Sequence, residues 1–310
     1  MVNSKLLLFF LFVCGCSFAQ TNNNQTDSIQ TDTEQIKLEQ VNLEQKKADL
    51  LSANQAIVEN YFQSAKQNTA NYEILRATFC FLETPYVGGT LERSEKEELI
   101  INLQEMDCMT LVEYSLAMSR AVRFPSPDWD TFARELRQIR YRNGVINGYA
   151  SRLHYTTDWI YNNTVKGVFE DVTFALGGRK FPVNVHYMSS NYEKYPHLTD
   201  DLEAVEQIKL IEKAINTRNI YYYIPKNEIV KHQSKIKNGD IICFTTSISG
   251  LDISHLGIAY LNKQQLTFVH ASSSAKKVII NPESLIDYCN AIRTCTGIVV
   301  LRPVNVTPQY

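Results

Sequence analysis

"HLGIAYLNKQQLTFVHAS", residues 255–272, is two apolar, β-branched runs separated by four polar residues. The runs read as strands, and "NKQQ" as the hairpin connection between them. His255 opens the first strand and His270 lies near the end of the second. An antiparallel hairpin can set the two imidazoles side by side. Outward from this hairpin lie three more short runs of the same kind: "GDIICFTT" (239–246), "KVIIN" (277–281) and "TGIVVLR" (296–302). Five strands in succession predict an antiparallel meander or a small barrel.

Upstream, the period of the apolar residues changes from two to between three and four. Residues 72–82 are one candidate helix and Cys108–Val122 a second. "SPDWDTFARELRQIRY" (126–141) is a third, with Ser126 as cap, Pro127 in the first turn and Trp129, Phe132, Leu136 and Ile139 on one face. "LTDDLEAVEQIKLIEKAI" (198–215) is a fourth, with Thr199 as cap and Leu202, Val205, Ile208 and Ile215 facing inward. "NIYYYIP" (219–225) reads as a half-buried strand. Helices first and strands later define an α+β fold. The expected division is a mainly helical part, 51–230, followed by a strand part, 231–310.

The N-terminal segment is of another kind. "MVNSKLLLFFLFVCGCSFAQ" (1–20) has a positive start at Lys5 and an apolar run, Leu6–Val13, too short to span a bilayer. It reads as an export signal. Two endings fit: cleavage near Ala19 or Gln20, or a lipoprotein-type signal with Cys16 as the lipidated residue. The expected location is therefore the periplasm or cell envelope. Residues 21–50 read as a polar tether followed by an exposed helix, and no later segment has the character of a membrane span. Lys and Arg total 31 against 33 Asp and Glu, with no basic block, which argues against nucleic-acid binding.

Beyond the signal there are five cysteines, an odd number, and no Cys-x-x-Cys pair. Cys289 and Cys295 are close enough for a local disulfide and equally fit two buried thiols. Cys108 stands out by position. Asp107 is a good N-cap, so Cys108 falls in the first turn of its helix. Free N–H groups there favour a thiolate, the nucleophilic form. A histidine can take the thiol proton and return it to a leaving group, and a third residue can orient that histidine. Cys108 with His255 and His270 could instead ligate zinc, but no paired ligand spacing supports a dedicated metal site.

Four stretches taken together, "TPYVGG" (84–89), "DCMTLVE" (107–113), "SHLGIAY" (254–260) and "VHASS" (269–273), resemble the NlpC-type papain-like cysteine peptidases of bacterial cell walls. With "SRLHYTTDWI" (151–160), the chain more closely resembles the N-acetylmuramoyl-L-alanine amidase-like branch, over about residues 55 to 305. The resemblance implies a papain-like fold. It implies Cys108 as nucleophile, His255 as general base, His270 as the orienting residue and Tyr86 beside the nucleophile, helping to hold substrate. It implies hydrolysis of a peptidoglycan or muropeptide amide bond without a cofactor. That bond is either muramic acid to L-alanine or γ-D-glutamate to the diamino acid. Met109 and Thr110 depart from the small residues usual after the cysteine, which implies a different pocket wall.

Arg152, His154, Asp158 and Trp159 are further candidates for substrate contact. Arg152 could grip a carboxylate and Trp159 a sugar or stem peptide, although a structural Arg–Asp pair with a packed Trp fits somewhat better. Glu113 reads as a structural hydrogen-bond partner. Two other functional classes remain open to the sequence: a wall-binding module that has lost catalysis, and an acyltransferase using the same three residues.

Overall fold

Strand β4 (Ile241–Thr246) explains the architecture. All six residues are buried, so its apolar run is continuous rather than alternating. Ile241 and Cys243 face one core cluster, while Ile242 and Phe244 face another. A strand buried on both faces belongs in the middle of a covered sheet.

In the computed structural model the described backbone comprises residues 23–66 and 73–304, with side chains described for 39–65 and 74–304. The export signal at 1–20, with Cys16, lies outside the described residues. The fold is mixed α+β. Among the described residues there are eleven α-helices and one antiparallel sheet of eight strands. The strands are β1 (Phe169–Asp171), β2 (Arg179–Lys180), β3 (Tyr222–Pro225), β4, β5 (Ile253–Asn262), β6 (Gln265–Ser272), β7 (Lys277–Ile280) and β8 (Cys295–Pro303). Their order is β2-β3-β8-β4-β5-β6-β7, with β1 also pairing with β8. The five strands expected from the sequence form the β8-β4-β5-β6-β7 run. The mainly helical stretch supplies the three additional short ones. "YYIP" of the Tyr-rich segment becomes β3. The β5–β6 hairpin turns through Lys263 and Gln264, with Lys263 at φ 57°.

Five α-helices come first in the chain. They are α1 (Asn23–Lys66), α2 (Glu73–Phe79), α3 (Cys108–Ala121), α4 (Trp129–Arg140) and α5 (Thr156–Val165). Helix α1 begins inside the stretch expected to be a tether. No proline or glycine interrupts residues 23–66, and Gln, Glu, Lys, Ala and Leu sustain the helix. Val41, Leu43 and Leu51 on it are exposed. Contacts divide the chain after Leu51, and from Ser52 onward the described residues form one unit.

Two caps differ from expectation. Asp128, not Ser126, caps α4, accepting from the Thr131 N–H at 2.8 Å. Asp201, not Thr199, caps the helix Leu202–Arg218, accepting from Ala204 N–H at 2.9 Å. In both places several cap-competent residues adjoin, and at the second Thr199 and Asp200 end the preceding short helix Pro196–Thr199, which leaves Asp201 as the cap. The shift leaves Leu202 exposed at the first position of its helix, while Val205, Ile208 and Ile215 are buried.

Candidate active site

The site is assembled by three segments that meet at the start of α3. The first is α3 itself. Asp107 accepts from the Thr110 N–H at 2.9 Å, and Thr110 Oγ1 accepts from the Asp107 N–H at 2.9 Å. This reciprocal capping box fixes where the helix starts, and therefore where Cys108 sits. Every residue from Thr110 to Ala121 is buried, so the helix is packed on all sides. Cys108 and Met109 are only half-buried, at the exposed mouth of that core.

The second segment is the "TPYVGG" strap. Val87 N–H donates to Met106 O at 3.1 Å, and Met106 N–H donates to Pro85 O at 3.1 Å. Tyr86 N–H donates to Lys276 O at 2.9 Å, tying the strap to the β6–β7 turn. Gly89, at φ 71°, then turns the chain away through a left-handed conformation that favours glycine. Burial, reinforced by the neighbouring Cys108 and Asp107, raises the Tyr86 phenol above its ordinary value.

The third segment is the β5–β6 hairpin. His255 Nε2 and His270 Nδ1 are 2.7 Å apart, with the rings edge to face. Gly257 makes this approach feasible. A Cβ there would stand 2.5 Å from Phe268 Cδ2 and 3.0 Å from Val269 O. Phe244, Phe268 and Tyr288 surround the pair, with Tyr288 6.1 Å from His255 and 5.6 Å from His270, centroid to centroid. Tyr288 sits on the short helix Leu285–Ala291. Sequence reading missed it, because nothing in the spacing of "LIDYCNA" aims one side chain at the histidines.

The thiol of Cys108 faces the backbone N–H of Leu256, the residue after His255, and the N–H groups of Cys108 and Met109. The structure thus brings Cys108, His255, His270 and Tyr86 into one neighbourhood. The electrostatics there favour neutral groups. Burial, reinforced by the Asp107 carboxylate, pushes the Cys108 thiol up to about 12, against the three N–H groups. Burial and the neighbouring His270 push His255 down to about 3. Burial pushes His270 down to about 4, although the Asn281 side chain pulls the other way. At rest the proton therefore stays on sulfur and the imidazoles are uncharged.

The segment 151–160 is placed differently. Arg152 Nη2 bonds Glu92 at 2.7 Å, its Nε lies 3.2 Å from Glu97, and its guanidinium lies over Tyr149. His154 Nε2 is 2.8 Å from Tyr149 O. Asp158 divides its carboxylate between Arg142 at 2.7 Å and Arg218 at 2.5 Å. Trp159 is fully buried, with Phe169 at 4.9 Å. These residues form an ion-paired framework. Glu113 likewise pairs with Arg140 Nε at 2.6 Å inside the core.

Among the described residues no group of three His, Cys, Asp or Glu is placed to hold a metal ion. No helix among them is long and apolar enough to cross a membrane. Cys80, Cys108, Cys243, Cys289 and Cys295 are free thiols. Cys289 and Cys295 lie within hydrogen-bonding reach of each other, buried rather than oxidised.

The fold that carries this site is shared with known proteins. Residues 76–298 match the AmiA-like family, described as N-acetylmuramoyl-L-alanine amidase-like. The chain belongs to that family. A crystal structure of an N-acetylmuramoyl-L-alanine amidase from Bacteroides uniformis is 40% identical, covers 75% of this chain and 98% of its own, and superposes with a TM-score of 0.72. A Bacteroides fragilis protein described as a candidate xylanase is 44% identical, with 74% and 99% coverage and a TM-score of 0.70. A Legionella pneumophila protein of the DUF1460 family shares the fold at 22% identity, with 84% and 98% coverage and a TM-score of 0.64. Among curated proteins none matches the chain. The family and the Bacteroides uniformis amidase support an amidase-like hydrolase acting on peptidoglycan.

Proposed function

We propose that the chain is an exported cysteine amidase that cleaves the bond between muramic acid and L-alanine in peptidoglycan or its fragments. The observation that carries this reading is the placement of the Cys108 thiol against the Leu256 N–H, next to His255, whose Nε2 is already engaged by His270 at 2.7 Å. That engagement leaves His255 Nδ1 for the thiol proton. The Bacteroides uniformis amidase supports the choice of bond, and the apolar segment at 1–20 supports export, with or without a lipid on Cys16.

In this mechanism the thiol proton moves to His255 Nδ1 as Cys108 Sγ attacks the lactyl carbonyl carbon. The resting pair is neutral, so proton transfer accompanies attack. The carbonyl oxygen becomes an oxyanion, which N–H groups at the start of α3 can receive. The C–N bond then breaks, and His255 returns the proton to the alanine amine. Water, deprotonated by His255, hydrolyses the thioester and restores the thiol. Tyr86 bounds the site and contacts substrate.

A glycosidase reading, suggested by the Bacteroides fragilis relative, would need carboxylates free to act on a sugar. Asp107 is committed to its cap and Glu113 to Arg140. The test is incubation of the purified protein with disaccharide-peptides and mass analysis of the products. Release of an intact stem peptide, absent with Cys108→Ala, is the expected result. A fragment beginning at the diamino acid would mean the endopeptidase bond instead. Cleavage of the glycan, or unchanged activity in Cys108→Ala, would overturn the reading.

A further inference from the structure

The histidine pair ends in an unanswered polar atom. His270 is 2% exposed, and its Nε2 is buried without a hydrogen-bond partner. Its other nitrogen, Nδ1, is taken by His255. If His255 is to accept a proton at Nδ1, it must carry its own proton on Nε2 and donate it to His270 Nδ1. His270 must then be protonated at Nε2, and a buried N–H needs an acceptor.

The fold supplies one candidate. Asn281 follows β7 directly, and its N–H donates to Phe268 O at 2.8 Å. Phe268 and His270 lie two residues apart on β6, so their side chains share a face of the sheet. Opposite them stand Asn281 and Ile279. Asn281 is 5% exposed. Its Nδ2 donates to Glu283 O at 2.9 Å, which orients the carboxamide and leaves Oδ1 as the unused end. The side chain lies near enough to His270 to increase its affinity for a proton.

We propose that Asn281 is a positioning residue: its Oδ1 accepts from His270 Nε2–H and so fixes the tautomers of both histidines. The polar line then runs Asn281, His270, His255, Cys108, each donor aimed at one acceptor. The inference rests on the cysteine-hydrolase reading for its catalytic consequence, but the tautomers exist without substrate.

The test is ¹⁵N NMR of the histidine rings in the free protein at neutral pH, in wild type, Asn281→Ala and Asn281→Asp. The wild type should show both His255 and His270 protonated at Nε2. Asn281→Asp, which keeps an acceptor, should retain those tautomers. Asn281→Ala should lose the single His270 tautomer and reduce kcat by roughly tenfold with KM little changed, the loss expected from an unpaired buried donor. Should Asn281→Ala fail to fold, the wild type and Asn281→Asp still decide. Protonation of wild-type His270 at Nδ1, or unchanged tautomers in a folded Asn281→Ala, would overturn the proposal. Because the spectra need no substrate, correct tautomers in a protein without hydrolase activity would indict the function and not the role of Asn281.

Discussion

Asp107 serves two ends that oppose each other. Its carboxylate caps α3 and so places Cys108, yet its charge adds to the burial that keeps the thiol protonated. Asparagine is an equally good cap without the charge. Asp107→Asn should therefore preserve stability while bringing the Cys108 titration to lower pH, seen as faster alkylation of Cys108 by iodoacetamide near pH 8. Asp107→Ala should destabilise the protein by about 1 kcal/mol. Equal alkylation rates in wild type and Asp107→Asn would show that burial alone governs the thiol.

His154 offers a second test at this scale, away from the thiol. Burial, with help from Arg152, holds it down to about 3 against an ordinary value of 6.5. The unfolded chain binds that proton below pH 6.5 and the folded chain does not. Stability from this residue is thus fully present above pH 6.5 and is lost as pH falls towards 3. Relative to His154→Gln, wild type should lose about 1.4 kcal/mol per pH unit across that window. Urea midpoints measured against pH check it, and a difference independent of pH would contradict it.

At the scale of elements, α3 and α4 are locked by charge as well as packing. Arg140 lies between Glu113, the Ile100 carbonyl at 2.6 Å and the Tyr114 ring. Burial raises the Glu113 carboxyl despite Arg140 beside it. Arg140→Met would leave Glu113 buried alone, at a cost of about 3–5 kcal/mol. The loss should shrink as pH falls, because Glu113 can then accept a proton. Chemical denaturation of Arg140→Met and of the Glu113→Gln, Arg140→Met double variant would test this, the double variant recovering part of the loss. Loss of less than 1 kcal/mol in the single variant would mean the pair is not a lock.

The elements also show what periodicity can and cannot reveal. The β5–β6 hairpin was legible because its apolar runs and polar turn are local. The start of α3 was legible because a cap and an apolar face coincide. Short β1 and β2 were not, since two or three residues carry no period and pair only because β8 and β3 are there. The caps of α4 and of Leu202–Arg218 were displaced because adjacent Ser, Thr and Asp compete, and local sequence does not rank them. For Arg152, Asp158 and Trp159 the sequence left both substrate contact and a structural pairing open, because their partners are distant. Glu92, Arg142 and Arg218 come from 60, 16 and 60 positions away, distances at which spacing is silent.

Across the whole molecule, the sequence order of helices then strands resolves into one sheet that presents histidines to a helix start more than 140 residues earlier in the chain. Cys108, His255, His270 and Tyr86 were found together through motifs in order. Tyr288 and Asn281 were not, because their relation to the histidines exists only once β6, β7 and the following helix are packed. The central claim joins these parts: the Cys108 thiol forms a thioester with the muramyl lactyl group, and the stem peptide leaves first. The most direct measurement is rapid acid quenching of enzyme and disaccharide-peptide during turnover, followed by intact and peptide mass analysis. The account predicts an adduct on Cys108 with the mass of the disaccharide acyl group and no stem peptide. An adduct that retains L-alanine and D-glutamate would move the scissile bond, and turnover in Cys108→Ala at the wild-type rate would contradict the mechanism itself.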